Sequence, residues 1–185
     1  MSSMFKLYQK LLRKYPLCVQ SVQAGILMGT GDQIAQNFVE RRKIEDLNFM
    51  RSAQFVCIGC CLAGPATKTW YGILERYIGS KNSVAAFKKV LLDQGCFAPA
   101  FVAVLLTVIA TMQGNDIEGV KKKVKADYKD VLCNNYKLWP MVQLANFYFV
   151  RLEYQVLVVQ TVALFWNTYI SYRTNRDVER THKNV

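Results

Sequence analysis

Charged residues leave this chain in four long intervals. Between Lys14 and Asp32 there are 17 uncharged positions, between Arg51 and Lys68 16, between Asp93 and Asp116 22, and between Glu153 and Arg173 19. A helix rises about 1.5 Å per residue, so roughly 20 residues cross the ~30 Å hydrocarbon layer of a bilayer. The last two intervals reach that length alone. The first two need their flanks, which brings a few polar groups to the interface or into the bundle. The pattern predicts an all-α, multi-pass membrane helix bundle with four transmembrane helices, at about 16–38, 48–78, 95–114 and 152–173. Nothing rich in Pro, Gly or Ser divides the chain, so residues 1–176 form one domain and 177–185 a polar tail. An even number of crossings places both termini on one side.

Short amphipathic surface helices are expected between the spans. In the lead-in 1–15, Met4, Leu7, Tyr8, Leu11, Leu12 and Tyr15 share a face opposite Lys6, Lys10, Arg13 and Lys14. That suits a mitochondrial targeting or membrane-surface element, or a helix lying along the bundle. No secretory signal pattern is visible. Residues 83–93 form a short helix leading into the third span. Over 116–132, Ile117, Val120, Val124, Tyr128 and Val131 recur at helical spacing with the charged remainder toward water. A further helix is predicted over 139–151, starting where Pro140 fits a first turn and Trp139 a membrane interface.

The formal net charge of +11 raises nucleic acid as a partner. The aromatic residues, however, lie inside or beside apolar runs and not on a basic groove, so no direct nucleic-acid contact is expected. Enzymatic chemistry is not expected either. The stretch AGILMGTGDQ at 24–33 has neither dinucleotide-binding nor phosphate-loop spacing. The single histidine, His182, lies in the tail, which leaves no catalytic triad, and one C-x-x-C in CIGCC at 57–61 does not complete a metal site. No metal or cofactor is expected. Gly25 and Gly29 instead form a G-x-x-x-G pair that lets helices approach closely, facing a second small-residue surface around Gly59 and Gly64. Cys57, Cys60 and Cys61 read as small packing residues or as a redox sensor reaching Cys18, Cys96 or Cys133.

Polar residues at membrane depth are costly, so they mark either interhelical hydrogen bonds or a solute path. Asp32, Asp93, Gln94, Gln143, Asn146, Arg151 and Glu153 are the candidates for a polar interior or pore lining. Gln143 and Asn146 lie on one helical stripe with Trp139, which predicts a single polar neighbour, Asp93 with Gln94 at the mouth of the third span. Four helices packed through small residues fill their own centre, so the path is narrow or several copies of the chain build it.

The blocks WYGILERYIG (70–79), KKVLLDQGCFAPAF (88–101), NYKLWPMVQLANF (135–147) and VQTVALFWNTYIS (159–171) resemble the signature segments of the Mpv-seventeen family. The resemblance runs from about Tyr8 to Arg173, and it is strongest toward the mitochondrial inner-membrane branch. It implies four spans, a proposed pore for small metabolites or ions, and a role in mitochondrial DNA maintenance and stress homeostasis. It places the chain in the mitochondrial inner membrane or, as the alternative, the peroxisomal membrane. The reading from another class is an inner-membrane scaffold or assembly protein with no transport of its own. The family usually continues its NF pair with Val-Pro and an Arg four residues later; this chain has Val150-Arg151 and Gln155. Losing that proline predicts a straighter run from the 140s into the last span.

Overall fold

The computed structural model describes residues 3–79, 83–149 and 152–183; for 3–6, 9, 13, 83, 146–149, 152–157 and 176–183 the backbone alone is described. Among the described residues all regular structure is helical, with no strand. The lead-in is helix α1 (Ser3–Lys14). α2 (Pro16–Ile34) carries Pro16 in its first turn, where the missing N–H costs no bond, and closes in a π-helical turn at Ala35–Val39. After a loop with one 3-10 turn (Ile44–Asp46), Asn48 caps α3 (Phe49–Ile58) by accepting the Arg51 N–H at 2.9 Å.

α3 continues through a π turn (Gly59–Ala63) into α4 (Gly64–Ile78), which ends at Gly79 with φ of 81°. α5 (Ser83–Leu92) continues through a second such turn (Asp93–Phe97) into α6 (Ala98–Met112). Both turns stand just ahead of a proline, Pro65 or Pro99, in the first turn of the next helix. A proline ring crowds the carbonyl four residues back; a wider preceding turn relieves that clash and keeps the rod continuous. α7 (Ile117–Phe149) and α8 (Leu152–Lys183) complete the chain.

Five rods result: α2 with its π turn, α3–α4, α5–α6, α7 and α8. Residue pairings give their directions. Gln33 meets Ser52 while Gly64 abuts Ser21, so α2 and α3–α4 are antiparallel. Trp70 with Asp93 and Glu75 with Lys89 reverse the next pair, and Asn135 with Gln94 and Tyr128 with Pro99 the one after. Arg173 with Asp127, Asn134 with Tyr169 and Trp139 with Trp166 make α7 and α8 antiparallel. Met28, Phe55, Ile58, Val102, Leu105, Leu106, Ile109, Val131 and Ile170 fill the centre.

Three expectations change. The region 116–151 is not a surface helix followed by a new helix at Pro140, because α7 runs unbroken through that proline. Inside a bundle, neighbouring helices offset the lost bond, so a proline that would stop a water-exposed helix is tolerated. Trp139 accordingly packs edge-on against Trp166, ring centroids 6.3 Å apart, and is not an interface anchor ahead of a helix start. Second, α7 and α8 are antiparallel, so the chain does not run straight from the 140s into the last span; Arg151 lies outside the described residues. Third, five alternating rods put the start of α2 and the end of α8 at opposite ends of the bundle, not at the same end.

Among the described residues, two helical stretches are long and apolar enough to cross a membrane, Phe49–Ile78 and Val84–Met112. Only 33% of the most apolar part of each is buried inside the bundle, so most of it faces outward, the reverse of a core helix in water.

Candidate functional site

The helices meet through backbone contact where glycine permits it. A Cβ on Gly59 would lie 2.5 Å from the Gly25 Cα and 2.6 Å from the Ala24 carbonyl oxygen; one on Gly64 would lie 2.5 Å from the Ser21 Cα. A Cβ on Gly25 would strike the Cys60 Sγ, and one on Gly29 the Val56 side chain. Gly31, which the spacing rule passes over, takes α8 the same way, with Asn167 Cβ 2.7 Å from where its own Cβ would stand. Cys60 thus lies in a packing seam, while Cys57 and Cys61 are exposed, and every cysteine of the chain is a free thiol.

Close approach brings polar residues together in three groups. In the first, Asp32 on α2 is fully buried and faces Arg51 at the start of α3, Nε to Oδ1 at 2.6 Å. Asp32 also accepts from Gln36 at 2.7 Å, from Ser52 at 2.5 Å and from Ser171 on α8. The other edge of the Arg51 guanidinium forms a two-bonded fork with Glu40 at 2.9 and 2.6 Å, and donates to Ser171 at 2.9 Å. Arg41, at φ of 53°, takes the left-handed position that ends the π turn and leaves Glu40 beside Arg51. Every charge in this group is met by an opposite charge, and Asp32 by three neutral donors besides, so it works as a lock between α2, α3 and α8.

The second group ties α7 to α8. Arg173 pairs with Asp127, which is 1% exposed, and with Asp130 at 3.0 Å. One helical step along, Asn134 donates to the Tyr169 hydroxyl at 2.7 Å.

The third group lies toward the opposite end and is built from α4, the π turn before α6, and α7. Trp70 Nε1 donates to Asp93 Oδ1 at 3.0 Å, and Gln94 Nε2 to Asp93 Oδ2 at 2.8 Å. Asn135 Nδ2 donates to Gln94 Oε1 at 3.0 Å, the Tyr136 hydroxyl to the Gln94 carbonyl at 2.9 Å, and Gln143 Nε2 reaches the Tyr71 hydroxyl at 3.4 Å. Trp70, Phe97 and Phe101 stack at successive centroid spacings of 5.2 Å and wall one side. Asp93 and Gln143 are each 9% exposed and Asn135 7%, but Gln94 is half-buried and Tyr136 40% exposed, so this group reaches the surface at one edge where the lock is sealed.

The expected candidates therefore separate. Asp32 belongs to the lock; Asp93, Gln94 and Gln143 to the open group. Gln143 meets Tyr71, and the expected meeting with Gln94 is made by Asn135, two turns earlier on α7. Asn135, Trp139, Gln143 and Asn146 fall on one stripe once α7 is continuous, so a signal for Asn135 was present in its spacing. The side chains of Asn146 and Glu153, and Arg151 entirely, lie outside the described residues. Sequence reasoning missed Tyr71, Trp70, Arg51, Glu40, Ser171, Asp127 and Arg173. Among the described residues no group of three or more His, Cys, Asp or Glu could hold a metal ion.

The family model for the Mpv17 / PMP22 family matches residues 110–171, from the end of α6 to Ser171. The chain is 43% identical over 174 residues to the human mitochondrial inner membrane protein Mpv17, covering 94% of this chain and 99% of that one. It is 42% identical over 176 residues to the Xenopus laevis protein of the same name, covering 95% and 99%. To protein sym-1 of Neurospora crassa it is 36% identical over 172 residues, covering 91% and 98%. No solved structure matches it. Identity of this level over nearly the whole of both chains shows that this protein belongs to the Mpv17 / PMP22 family and is a protein of the mitochondrial inner membrane.

Proposed function

We propose that the protein lets small metabolites or ions diffuse across the inner membrane, and that its support of mitochondrial DNA maintenance and stress homeostasis is an indirect result of that passage. The observation that carries this reading is the convergence of Asp93, Gln94, Asn135, Gln143, Trp70 and Tyr71 from three rods, with most of them inside the two stretches able to cross a membrane. Unlike the lock, this group reaches the surface at its Gln94 and Tyr136 edge, where a solute exchanges water for protein contacts. The apolar centre sends the path to the periphery of the bundle, along α4 and α7, or to a seam between copies of the chain in a homo-oligomer. No catalysis, cofactor or nucleic-acid contact enters this reading.

In this arrangement four rods carry the apolar spans and α7 runs among them as a fifth, partly charged rod. Tags at the two ends, probed by protease in intact mitochondria and in mitoplasts, are then expected to report opposite sides. Tags on one side would remove α7 from the membrane and restore an even number of crossings.

For function, purified protein in solute-loaded vesicles is the test. Asp93→Asn with Gln143→Leu removes one charge and one amide from the open group, while the introduced asparagine retains an acceptor for Trp70. Flux per inserted molecule is expected to fall about fivefold, equivalent to about 1 kcal/mol of solute contact, with little change in melting. The scaffold reading is favoured by the packed apolar centre; it predicts no flux above empty vesicles for either protein, together with partners retained in mild detergent.

A further inference from the structure

A groove of about 700 Å³ runs between α6 and α7, apart from all three polar groups. Thr107 and Thr111 of α6 with Val120 and Val124 of α7 form its floor, and Lys121, Lys125 and Lys129 stand along it. Both threonine hydroxyls donate to carbonyls of their own helix, which leaves their methyl groups to the groove. The three lysines recur every fourth residue, so they share one face at like-charge spacing, which is unfavourable unless an anion lies among them. The acids of α7 do not serve them: Asp127 and Asp130 turn to Arg173, and Glu118 pairs only with Lys121, at 3.0 Å between two exposed side chains. Lys125 and Lys129 have no anionic partner among the described residues.

We propose that this groove binds an acidic phospholipid, with its phosphate among Lys121, Lys125 and Lys129 and one acyl chain along the floor. Three features select a lipid over a soluble anion. The floor is apolar, which a free phosphate would leave unused. From Ile117 to Lys129 the groove is about 18 Å long at 1.5 Å per residue, long enough to seat an extended hydrocarbon segment, which a compact soluble anion would not fill. Its α6 wall is the last part of Val84–Met112, a stretch able to cross a membrane, so the groove opens near one membrane face, where lysines carry their amines toward head groups.

The test uses the full chain in nanodiscs of phosphatidylcholine with and without phosphatidylglycerol, with retained lipid counted by native mass spectrometry and stability followed by melting. Lys121→Gln with Lys125→Gln and Lys129→Gln is expected to weaken phosphatidylglycerol retention on the order of a hundredfold and to abolish the rise in melting temperature that this lipid gives the unaltered chain. The corresponding triple Arg variant is expected to retain both, as is a triple Gln variant at the exposed Lys43, Arg76 and Lys88. Equal retention by the groove variant, or equal loss in the Lys43, Arg76 and Lys88 variant, would overturn the proposal. So would the same stabilisation by inorganic phosphate in phosphatidylcholine alone, which assigns the site to a soluble anion, or a dimer mass that the groove variant converts to monomer. Should the triple Gln variant fail to insert, Lys125→Gln alone decides: reduced retention with a weaker salt dependence supports the lipid, and unchanged retention rejects it.

Discussion

Arg51→Met is expected to lower the stability of the bundle by about 3–5 kcal/mol, the usual cost of removing one member of a buried charge cluster. The substitution keeps most of the side-chain volume but leaves Asp32, fully buried, without its cation, and Glu40 without its two-bonded partner. Ser52, Ser171 and Gln36 still donate to Asp32, so its residual cost falls on charge more than on hydrogen bonding. Melting of the purified protein in a fixed detergent measures the loss. Asp32→Asn should cost less, since a neutral amide retains an acceptor for Ser52 or Ser171 while Glu40 still balances Arg51. A milder effect from Arg51→Met than from Asp32→Asn would mean that the lock is held by its neutral hydrogen bonds.

Gly59→Leu is expected to cost about 3 kcal/mol or more, at or beyond the upper end for overpacking, because the obstruction is backbone and not a movable side chain. The added Cβ would lie 2.5 Å from the Gly25 Cα, so α2 and α3–α4 must separate along the whole seam. Gly72→Ala supplies the contrast within the same rod. Nothing lies within 4 Å of a Cβ at Gly72, and alanine there should stabilise by roughly 0.5–1 kcal/mol through helix propensity alone. Yield of inserted protein and melting temperature report both. If the two variants behaved alike, the glycine seam would not be what joins these rods.

Much of this architecture was legible because lipid punishes charge: the uncharged intervals mark rods in the chain, and the Gly25–Gly29 spacing marks a seam. What stayed hidden has specific causes. Pro140 suits the first turn of a helix at a membrane edge, and a helix start placed there conceals Asn135 on the stripe of Gln143. Asp127 sits in a run of lysines whose pattern resembles a solvated face; its burial depends on Arg173, which no local spacing reveals. Arg51 borders an uncharged interval and Glu40 opens the charged stretch ERRKIED, so both look like loop charges until the chain folds back on itself. Asp93 and Gln94 were found because they stand at the edge of an apolar stretch, but their partner Trp70 looked like one more aromatic in a membrane helix.

The contact of Ser171 with Asp32 and Arg51 has a consequence for assembly. Asp32 and Ser171 are 139 residues apart, and Arg51 and Ser171 120 apart. Closing so long a loop carries an entropy cost that only the finished bundle offsets. Before α8 docks, a carboxylate and a guanidinium lie beside an uncovered slot, held by each other and by Glu40. Docking of α8 covers them, so the two ends of the chain must meet before this pair is sealed.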